Sequence, residues 1–136
     1  MYWILGCVLA VGAVAGAARI VQRGGQEKRQ AAVEQIADLE FALDRYAKAT
    51  GDYPSTEQGL DALWEKPTGL PRPVNWNGPY IDDPNFNDPW GRPYVYRRPG
   101  RYDAYAFDLF SRGADGIEGG RGENEDVVNW LRPEDL

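Results

Sequence analysis

The N-terminal part of the chain shows two successive helical patterns, the first apolar on all sides and the second apolar on one side. Residues 1–18 carry no charged side chain and consist largely of Val, Ala, Leu and Gly. Between residues 26 and 50, apolar residues recur at steps of three and four, the spacing of one helix face. This stripe consists of Val33, Ile36, Leu39, Leu43, Tyr46 and Ala47. It predicts a helix packed against a sheet, and Gly24-Gly25 predicts a bend or a frayed point between the two patterns.

The fully apolar run predicts a membrane anchor. A helix of residues 1–18 would be about 27 Å long, which nearly spans the ~30 Å hydrocarbon core of a bilayer. The span is completed by residues up to 21, because the Arg19 side chain can reach the interface. A cleaved secretory signal is the alternative, although no basic segment precedes the apolar run. We expect a hydrophobic N-terminal helix over residues 1–25, held in the membrane by residues 1–21, and a globular domain over residues 26–136.

The long helix has a clear predicted end and a short helix after it. Gly51 favours the C-terminal cap of a helix, and Pro54 cannot continue one. Residues 55–58, Ser-Thr-Glu-Gln, form a capping-box pattern in which side chains satisfy free amide groups at a helix start. The pattern predicts a short helix that runs to Trp64 or Glu65.

Three short β-rich runs follow in the second half of the chain. β-branched and aromatic residues bounded by turn residues predict strands at residues 93–98, 102–110 and 127–131. In the second strand, alternation predicts a core face that consists of Asp103, Tyr105, Phe107 and Leu109. The expected fold class is therefore α+β, with a long N-terminal helix packed on a small antiparallel sheet.

The composition disfavours several classes of function. The formal net charge of −6 argues against a nucleic-acid partner, which would require clustered Lys and Arg. The chain has no His, the commonest general base and a usual zinc ligand. Its one cysteine, Cys7, cannot form an intrachain disulfide. Adjacent acids such as Asp82-Asp83 are typical of solvated surface. An enzyme is consequently the least favoured class.

The segment of residues 109–130 combines backbone freedom with many side-chain oxygens. It contains five glycines between residues 113 and 122. Its oxygen-bearing side chains include Asp115, Glu118, Glu123, Asn124, Glu125 and Asp126. These carboxylates would repel one another without a cation, and Ca²⁺ takes six to eight oxygen ligands, backbone carbonyls included. A solvated acidic loop is the alternative, because charge runs and glycine clusters are common in exposed chain. The spacing does not match an EF-hand, so composition leaves both interpretations open.

Six short blocks, in a fixed order, carry a family resemblance over nearly all of the predicted globular domain. They are residues 51–63, 66–67, 76–80, 88–94, 111–116 and 129–130. The third and fourth blocks read Trp-Asn-Gly-Pro-Tyr and Asp-Pro-Trp-Gly-Arg-Pro-Tyr, and the fifth reads Ser-Arg-Gly-Ala-Asp-Gly. Together they resemble the major pseudopilins of bacterial type II secretion systems, which are type IV pilin-like proteins.

This resemblance implies a structural protein without enzymatic activity. Subunits of this family pack through their N-terminal helices into a periplasmic filament that is thought to promote the export of folded proteins. The expected partners are further copies of the chain, other pseudopilins and inner-membrane secretion components. The expected location is the bacterial inner membrane, crossed once, with the globular domain in the periplasm.

The resemblance also implies Ca²⁺ as a cofactor of the C-terminal loop. The match at residues 111–116 assigns Asp115 as a side-chain ligand. We expect Asn124 and Asp126 to supply oxygens from the far side of the loop. The backbone carbonyls of Leu109 and Arg112 are expected to complete the shell. The register within residues 119–126 stays open, because Glu123 or Glu125 could replace either of the two far-side ligands.

The N-terminus departs from the family pattern. Family members carry a basic leader that is cut after a Gly, and the mature chain has Glu at its fifth position. Here no acid occurs before Glu27, and cleavage after Gly6 would place Val11 at the fifth position. Two functions therefore stay open: a subunit that polymerises into the secretion filament, or a non-polymerising, membrane-anchored periplasmic binding or adaptor module with the same fold.

Overall fold

The computed structural model describes residues 3–130, and the side chains of residues 23–130. This part of the chain forms a long α-helix and a three-stranded antiparallel sheet of order β1-β2-β3. The elements are α1 (Trp3–Thr50), a first 3₁₀ turn (Leu60–Leu63), β1 (Val95–Arg97), β2 (Asp108–Ser111), a second 3₁₀ turn (Gly122–Asn124) and β3 (Val127–Val128). The expected α+β class, with a long helix and a small sheet, is confirmed.

Helix α1 is 48 residues long, which corresponds to about 72 Å. It ends where the sequence predicts: Gly51 has φ 98°, and its N–H donates to the Ala47 carbonyl at 2.8 Å. The helix runs through Gly24-Gly25, so the predicted fray is wrong. The predicted membrane anchor rests on the side chains of residues 1–21, which lie outside the described side chains. Within the described part, no helix is long and apolar enough to cross a membrane.

The core lies between one face of α1 and the sheet. The helix contributes Ala32, Ile36, Leu39, Ala42, Leu43 and Tyr46 to it. These side chains pack with Leu60 and Leu63 of the first 3₁₀ turn and with Tyr94, Tyr96, Phe107, Leu109 and Val127 around the sheet. The predicted stripe is correct except at its edges, since Val33 is 51% exposed and Ala47 is half-buried. Val33 lies about 120° around the helix from Leu39, which turns it away from the sheet.

Strand β2 is much shorter than the strand predicted over residues 102–110. The residues before it form a turn, in which the Asp103 carboxylate accepts the Tyr105 N–H at 2.9 Å. Asp103 and Tyr105, which we expected on the core face, are exposed, and Tyr105 is exposed to 90%. Phe107 and Leu109 are buried as predicted. The alternating pattern failed here because Asp side chains satisfy local amide groups and so favour turns over strands.

The capping box at residues 55–58 forms, but it does not start an α-helix. The Ser55 hydroxyl accepts the Gln58 N–H at 3.1 Å, and the Gln58 side chain accepts the Ser55 N–H at 3.0 Å. Gly59 then takes a φ of 61°, and only the 3₁₀ turn Leu60–Leu63 follows. The predicted helix to Trp64 or Glu65 is therefore wrong in type and too long, because a positive φ interrupts helical geometry.

Candidate metal centre

The acidic loop leaves the sheet at the end of β2 and returns at the start of β3. These strands pair antiparallel, with Ser111 opposite Val127. Continued by one residue, this register places Arg112 opposite Asp126. Beyond that point, the Ala114 N–H donates to the Glu123 carbonyl at 2.9 Å. The structure thus brings the predicted ligand segments, residues 112–115 and 123–126, side by side at one end of the sheet.

Two glycines allow the backbones of these segments to touch. Gly113 has φ 67°, and a Cβ there would lie 2.8 Å from the Glu125 carbonyl oxygen. Gly120 has φ 86°, and a Cβ there would lie 2.5 Å from the Asn124 carbonyl oxygen. Any other residue at either position would meet both a strained φ and a backbone clash. This packing fixes the backbone of residues 124 and 125 and so constrains the positions of Asn124 and Asp126.

The predicted side-chain ligands already order the loop through its own amides. The Asp115 Oδ1 atom accepts the Ile117 N–H at 3.0 Å. The Asp126 Oδ2 atom accepts the Gly119 N–H at 3.0 Å, and the Oδ1 atom of the same residue is buried. A carboxylate has about four acceptor positions, so these hydrogen bonds are compatible with further coordination. Both residues are therefore held in defined positions within the loop.

The predicted carbonyl ligands lie on β2 and immediately after it. The Leu109 carbonyl accepts the Asn129 N–H at 3.1 Å, so it is already part of the pairing with the chain beyond β3. Arg112 follows the last residue of β2, and its guanidinium lies 3.7 Å from the Glu118 carboxylate. A carbonyl oxygen has two lone pairs, and the Leu109 carbonyl therefore keeps capacity for a second partner. Metal coordination by either carbonyl stays a prediction.

The two acids named as alternative ligands contact helix α1. The Arg29 guanidinium donates to the Glu125 carbonyl and lies 3.8 Å from the Glu125 carboxylate. The Glu123 side chain packs over Gly25, which is buried. No local sequence pattern predicts these contacts, because they join residues almost a hundred positions apart. The one sequence feature that relates to them is the basic pair Lys28-Arg29 near the start of the amphipathic helix, which is opposite in charge to the loop.

A buried network supports the first half of the loop, and no local sequence pattern predicts it. Asp88 is 5% exposed, and its Oδ2 atom accepts the Ser111 hydroxyl at 2.6 Å. The Ser111 oxygen in turn accepts the Gly113 N–H at 3.1 Å. The Arg92 side chain donates to the carbonyls of Gly113 and Ala114 at 3.3 and 3.1 Å. All of these residues fall within two of the six family blocks, residues 88–94 and 111–116.

Glu118 is occupied by cationic side chains. Its carboxylate accepts from the Arg97 guanidinium at 2.5 Å and lies 3.7 Å from that of Arg112. The hydrogen bond from Arg97, with the charges of both guanidinium groups, lowers the pKa of Glu118 despite some desolvation. Glu118 is therefore ionised and paired with two cationic side chains at neutral pH.

The donor set fits Ca²⁺ in its chemistry. Among the described side chains, those of residues 23–130, no three or more His, Cys, Asp or Glu gather as they would around a metal ion. The predicted set contains only two carboxylates, and its other donors are one amide oxygen and two backbone carbonyls. A group of three or more acidic side chains is therefore not required for it. Oxygen-only donors on a flexible loop suit Ca²⁺ and disfavour Zn²⁺, which takes nitrogen and sulfur.

Comparisons with known proteins agree with this architecture. A family described as "Type II secretion system (T2SS), protein G" matches residues 19–130. The type II secretion system core protein G of Pseudomonas aeruginosa is 45% identical over 112 residues, covering 82% of this chain and 78% of that protein. Its namesake from Vibrio cholerae is 47% identical over 110 residues, covering 79% and 73%.

A solved structure agrees at the level of the fold. It is the crystal structure of the major pseudopilin from the type 2 secretion system of enterohaemorrhagic Escherichia coli. It matches with a TM-score of 0.67 and 38% sequence identity, over 79% of this chain and 90% of that chain. Sequence and structure comparisons therefore point to one family, and they confirm the resemblance carried by the six blocks.

Proposed function

Because this chain belongs to the type II secretion system protein G family, the major pseudopilins, we propose that it polymerises through helix α1 into a secretion filament and that Ca²⁺ stabilises its C-terminal loop. Membership makes it a structural component of type II secretion rather than an enzyme. Polymerisation and the dependence on Ca²⁺ are the parts that we infer for this chain.

The observation that carries the filament proposal is the length of α1 relative to its own core. Among the described side chains, the core contacts of this helix extend from Ala32 to Ala49. The helix itself begins at Trp3. Gly25 and Arg29 contact the C-terminal loop. We propose that the part of α1 before them, residues 3–24, which corresponds to about 33 Å of helix, packs against other subunits. On the packed part, Val33 and Phe41 are 51% and 67% exposed on the side turned away from the sheet.

We also propose the cellular setting. Residues 1–21 cross the bacterial inner membrane once, and the globular domain lies in the periplasm. The absence of charge over residues 1–18 supports this arrangement, because apolar side chains are required within the hydrocarbon core. The partners are other pseudopilins and inner-membrane components of the secretion system.

In the proposed metal site, Asp115, Asn124 and Asp126 supply side-chain oxygens, and Leu109 and Arg112 supply carbonyls. The ion supplies positive charge that offsets the repulsion between the loop carboxylates. The residues of the chain fix the positions of the donors through the Gly119–Asp126 hydrogen bond and the Ala114–Glu123 hydrogen bond. Loss of the ion is expected to loosen the loop and, with it, the short strand β3.

Electron microscopy of cells that overproduce the full chain with its secretion-system partners tests the filament proposal. We expect long filaments in Ca²⁺-containing medium, and few or none in chelator or with Asp115→Ala. A membrane-bound protein that stays monomeric by crosslinking under all conditions would contradict the proposal and favour the non-polymerising adaptor. Filaments that are equally abundant in chelator would contradict only the Ca²⁺ dependence.

A further inference from the structure

The segment of residues 123–126 contacts two different parts of the molecule, helix α1 and the loop itself. Glu123 and Glu125 contact helix α1, through Gly25 and Arg29. The two far-side ligand positions contact the loop: the Asn124 backbone lies against Gly120, and the Asp126 carboxylate accepts the Gly119 N–H. One short segment therefore connects the helix to both far-side ligand positions.

The contact made by Arg29 fixes the backbone of this segment. Its guanidinium donates to the main-chain carbonyl of Glu125 and also lies 3.8 Å from the carboxylate of that residue. The side chains of Arg29 and Glu125 are 27% and 36% exposed, so water screens their attraction only in part. A guanidinium holds its donors in a rigid plane, and it can therefore fix the position of a main-chain oxygen between Asn124 and Asp126.

The contact at Gly25 adds a second point of attachment. Gly25 is buried under the Glu123 side chain, and a Cβ built on Gly25 would overlap the Glu123 carboxylate. The carboxylate is the far end of a flexible side chain, so it can move at small cost. The attachment at Arg29 is consequently the stronger of the two, and it occurs on the helix one turn after Gly25.

We propose that Arg29 is a positioning residue for the Ca²⁺ loop, so that ion binding and the order of α1 around residues 24–30 are thermodynamically coupled. This inference rests on the proposed Ca²⁺ site. Coupling is reciprocal: if the helix contact favours the ion-binding arrangement of residues 123–126, the bound ion stabilises the helix contact by the same factor. The loop would thereby report ion occupancy to the helix through which the subunit is proposed to assemble.

The effect of Arg29 on the Kd for Ca²⁺ distinguishes a positioning role from a purely electrostatic one. A guanidinium near a cation site repels the cation, so removal of its charge alone would tighten Ca²⁺ binding. Removal of a positioning contact would weaken Ca²⁺ binding. Residues 123–126 would then have to become ordered when the ion binds, and this ordering has an entropic cost. The two explanations predict opposite signs for one substitution.

Calorimetric titration of the EDTA-stripped, full-length protein in detergent with CaCl₂ gives the first test. Arg29→Ala is expected to raise the Kd for Ca²⁺ about tenfold, which is ~1.4 kcal/mol. Arg29→Lys, which keeps the charge and loses the planar fork, is expected to raise it by roughly threefold. Lys28→Ala is the matched control, since Lys28 is an exposed cation on the same turn, and its Kd is expected to stay within about twofold of wild type.

Hydrogen exchange of the same proteins gives the second test. Amides of residues 24–30 are expected to exchange about tenfold more slowly with Ca²⁺ than with EDTA in the wild type. Asp115→Ala is expected to remove this difference between the rates in Ca²⁺ and in EDTA. Circular dichroism in EDTA checks that each variant is folded. If Arg29→Ala is unfolded, Arg29→Lys is used for the test in its place.

Three outcomes would overturn the inference. An unchanged or tighter Kd in Arg29→Ala would remove the positioning role, and an exchange rate in residues 24–30 that does not respond to Ca²⁺ would remove the coupling. In both cases Ca²⁺ binding by the wild type would leave the proposed metal site intact. Failure of the wild type to bind Ca²⁺ at all would instead overturn the metal site itself, and the coupling with it.

Discussion

The core beneath helix α1 and the acidic loop of residues 112–126 are held together by different kinds of contact. In the core, apolar side chains from one helix face meet aromatic and aliphatic side chains of the sheet. In the loop, individual atoms decide the structure: glycine backbones in contact with carbonyls, carboxylates that accept amide hydrogens, and Arg29 on Glu125. The core is therefore encoded by a repeating pattern, and the loop by particular residues at particular positions.

This difference indicates where the molecule depends on an ion. Burial of apolar surface stabilises the core without any cofactor. The loop buries little apolar surface, and Ile117 within it is 67% exposed. The loop also connects β2 to β3, and β3 is only two residues long. Any gain in loop order is consequently expected to stabilise the edge of the sheet.

The largest expected effect is a cavity in the core. Leu43 is fully buried on α1, and Leu43→Ala is expected to lower the free energy of unfolding by about 2–5 kcal/mol. Val33→Ala is the matched control on the same helix, because Val33 is 51% exposed, and we expect about 0.5 kcal/mol or less. Urea unfolding in EDTA measures both. Equal losses for the two variants would contradict the assignment of the core face.

Removal of the network beneath the loop should cost somewhat less stability and should affect Ca²⁺ binding as well. Asp88→Ala leaves the Ser111 hydroxyl and the Arg92 N–H without their acceptor, and we expect a loss of about 2–3 kcal/mol. We also expect weaker Ca²⁺ binding, because Ser111 accepts the Gly113 N–H. Asp82→Ala, at an exposed acid, is the control and should change neither quantity appreciably. If Asp88→Ala lost stability and kept full Ca²⁺ affinity, the network would support the core alone.

A smaller effect is expected at Glu40, on the border between helix and sheet. Burial raises the pKa of this carboxyl, the nearby charge of Asp44 raises it further, and the hydrogen bond from Asn129 lowers it in part. A raised pKa in the folded state means that the folded protein binds more protons, so the Glu40 contribution to stability falls as pH rises through that pKa.

Glu40→Gln keeps an acceptor for Asn129 and removes the charge. We expect this variant to be more stable than wild type at pH 7, by less than about 1 kcal/mol, and the difference to disappear towards acid pH. The urea midpoints of both proteins between pH 3 and pH 7 measure this difference in stability. The pH range is chosen because carboxyl groups ordinarily titrate within it. A difference that grew towards acid pH would mean that the charged form of Glu40 is the favoured one.

The sequence predicts the core more completely than the loop, and particular residues show why. The steps from Ile36 to Tyr46 follow the helical period, so the buried face could be read directly from them. The same reasoning misplaced Val33 at the edge of the stripe. It also extended the second strand through Asp103 and Tyr105, because alternation alone does not register that an Asp side chain can form a turn.

In the loop, the sequence and the family resemblance supplied the residue types and not the contacts between them. Asp115, Asn124 and Asp126 could be named as ligands, and their coordination of an ion stays a prediction. The contacts of Glu123 and Glu125 with α1, and of Asp88 with Ser111, join residues far apart in the chain. No local pattern encodes such pairs, since each depends on the folded position of two distant segments.

Thermal unfolding of the full-length protein in excess EDTA, in millimolar Ca²⁺ and in millimolar Mg²⁺ tests the Ca²⁺-stabilised loop most directly. A ligand at 100 times its Kd adds about 2.7 kcal/mol to the stability of the folded state, which corresponds to a rise in Tm of several degrees. We expect that rise with Ca²⁺, little change with Mg²⁺, and no rise in Asp115→Ala. The same Tm in Ca²⁺ and EDTA, or a rise that persists in Asp115→Ala, would contradict the account.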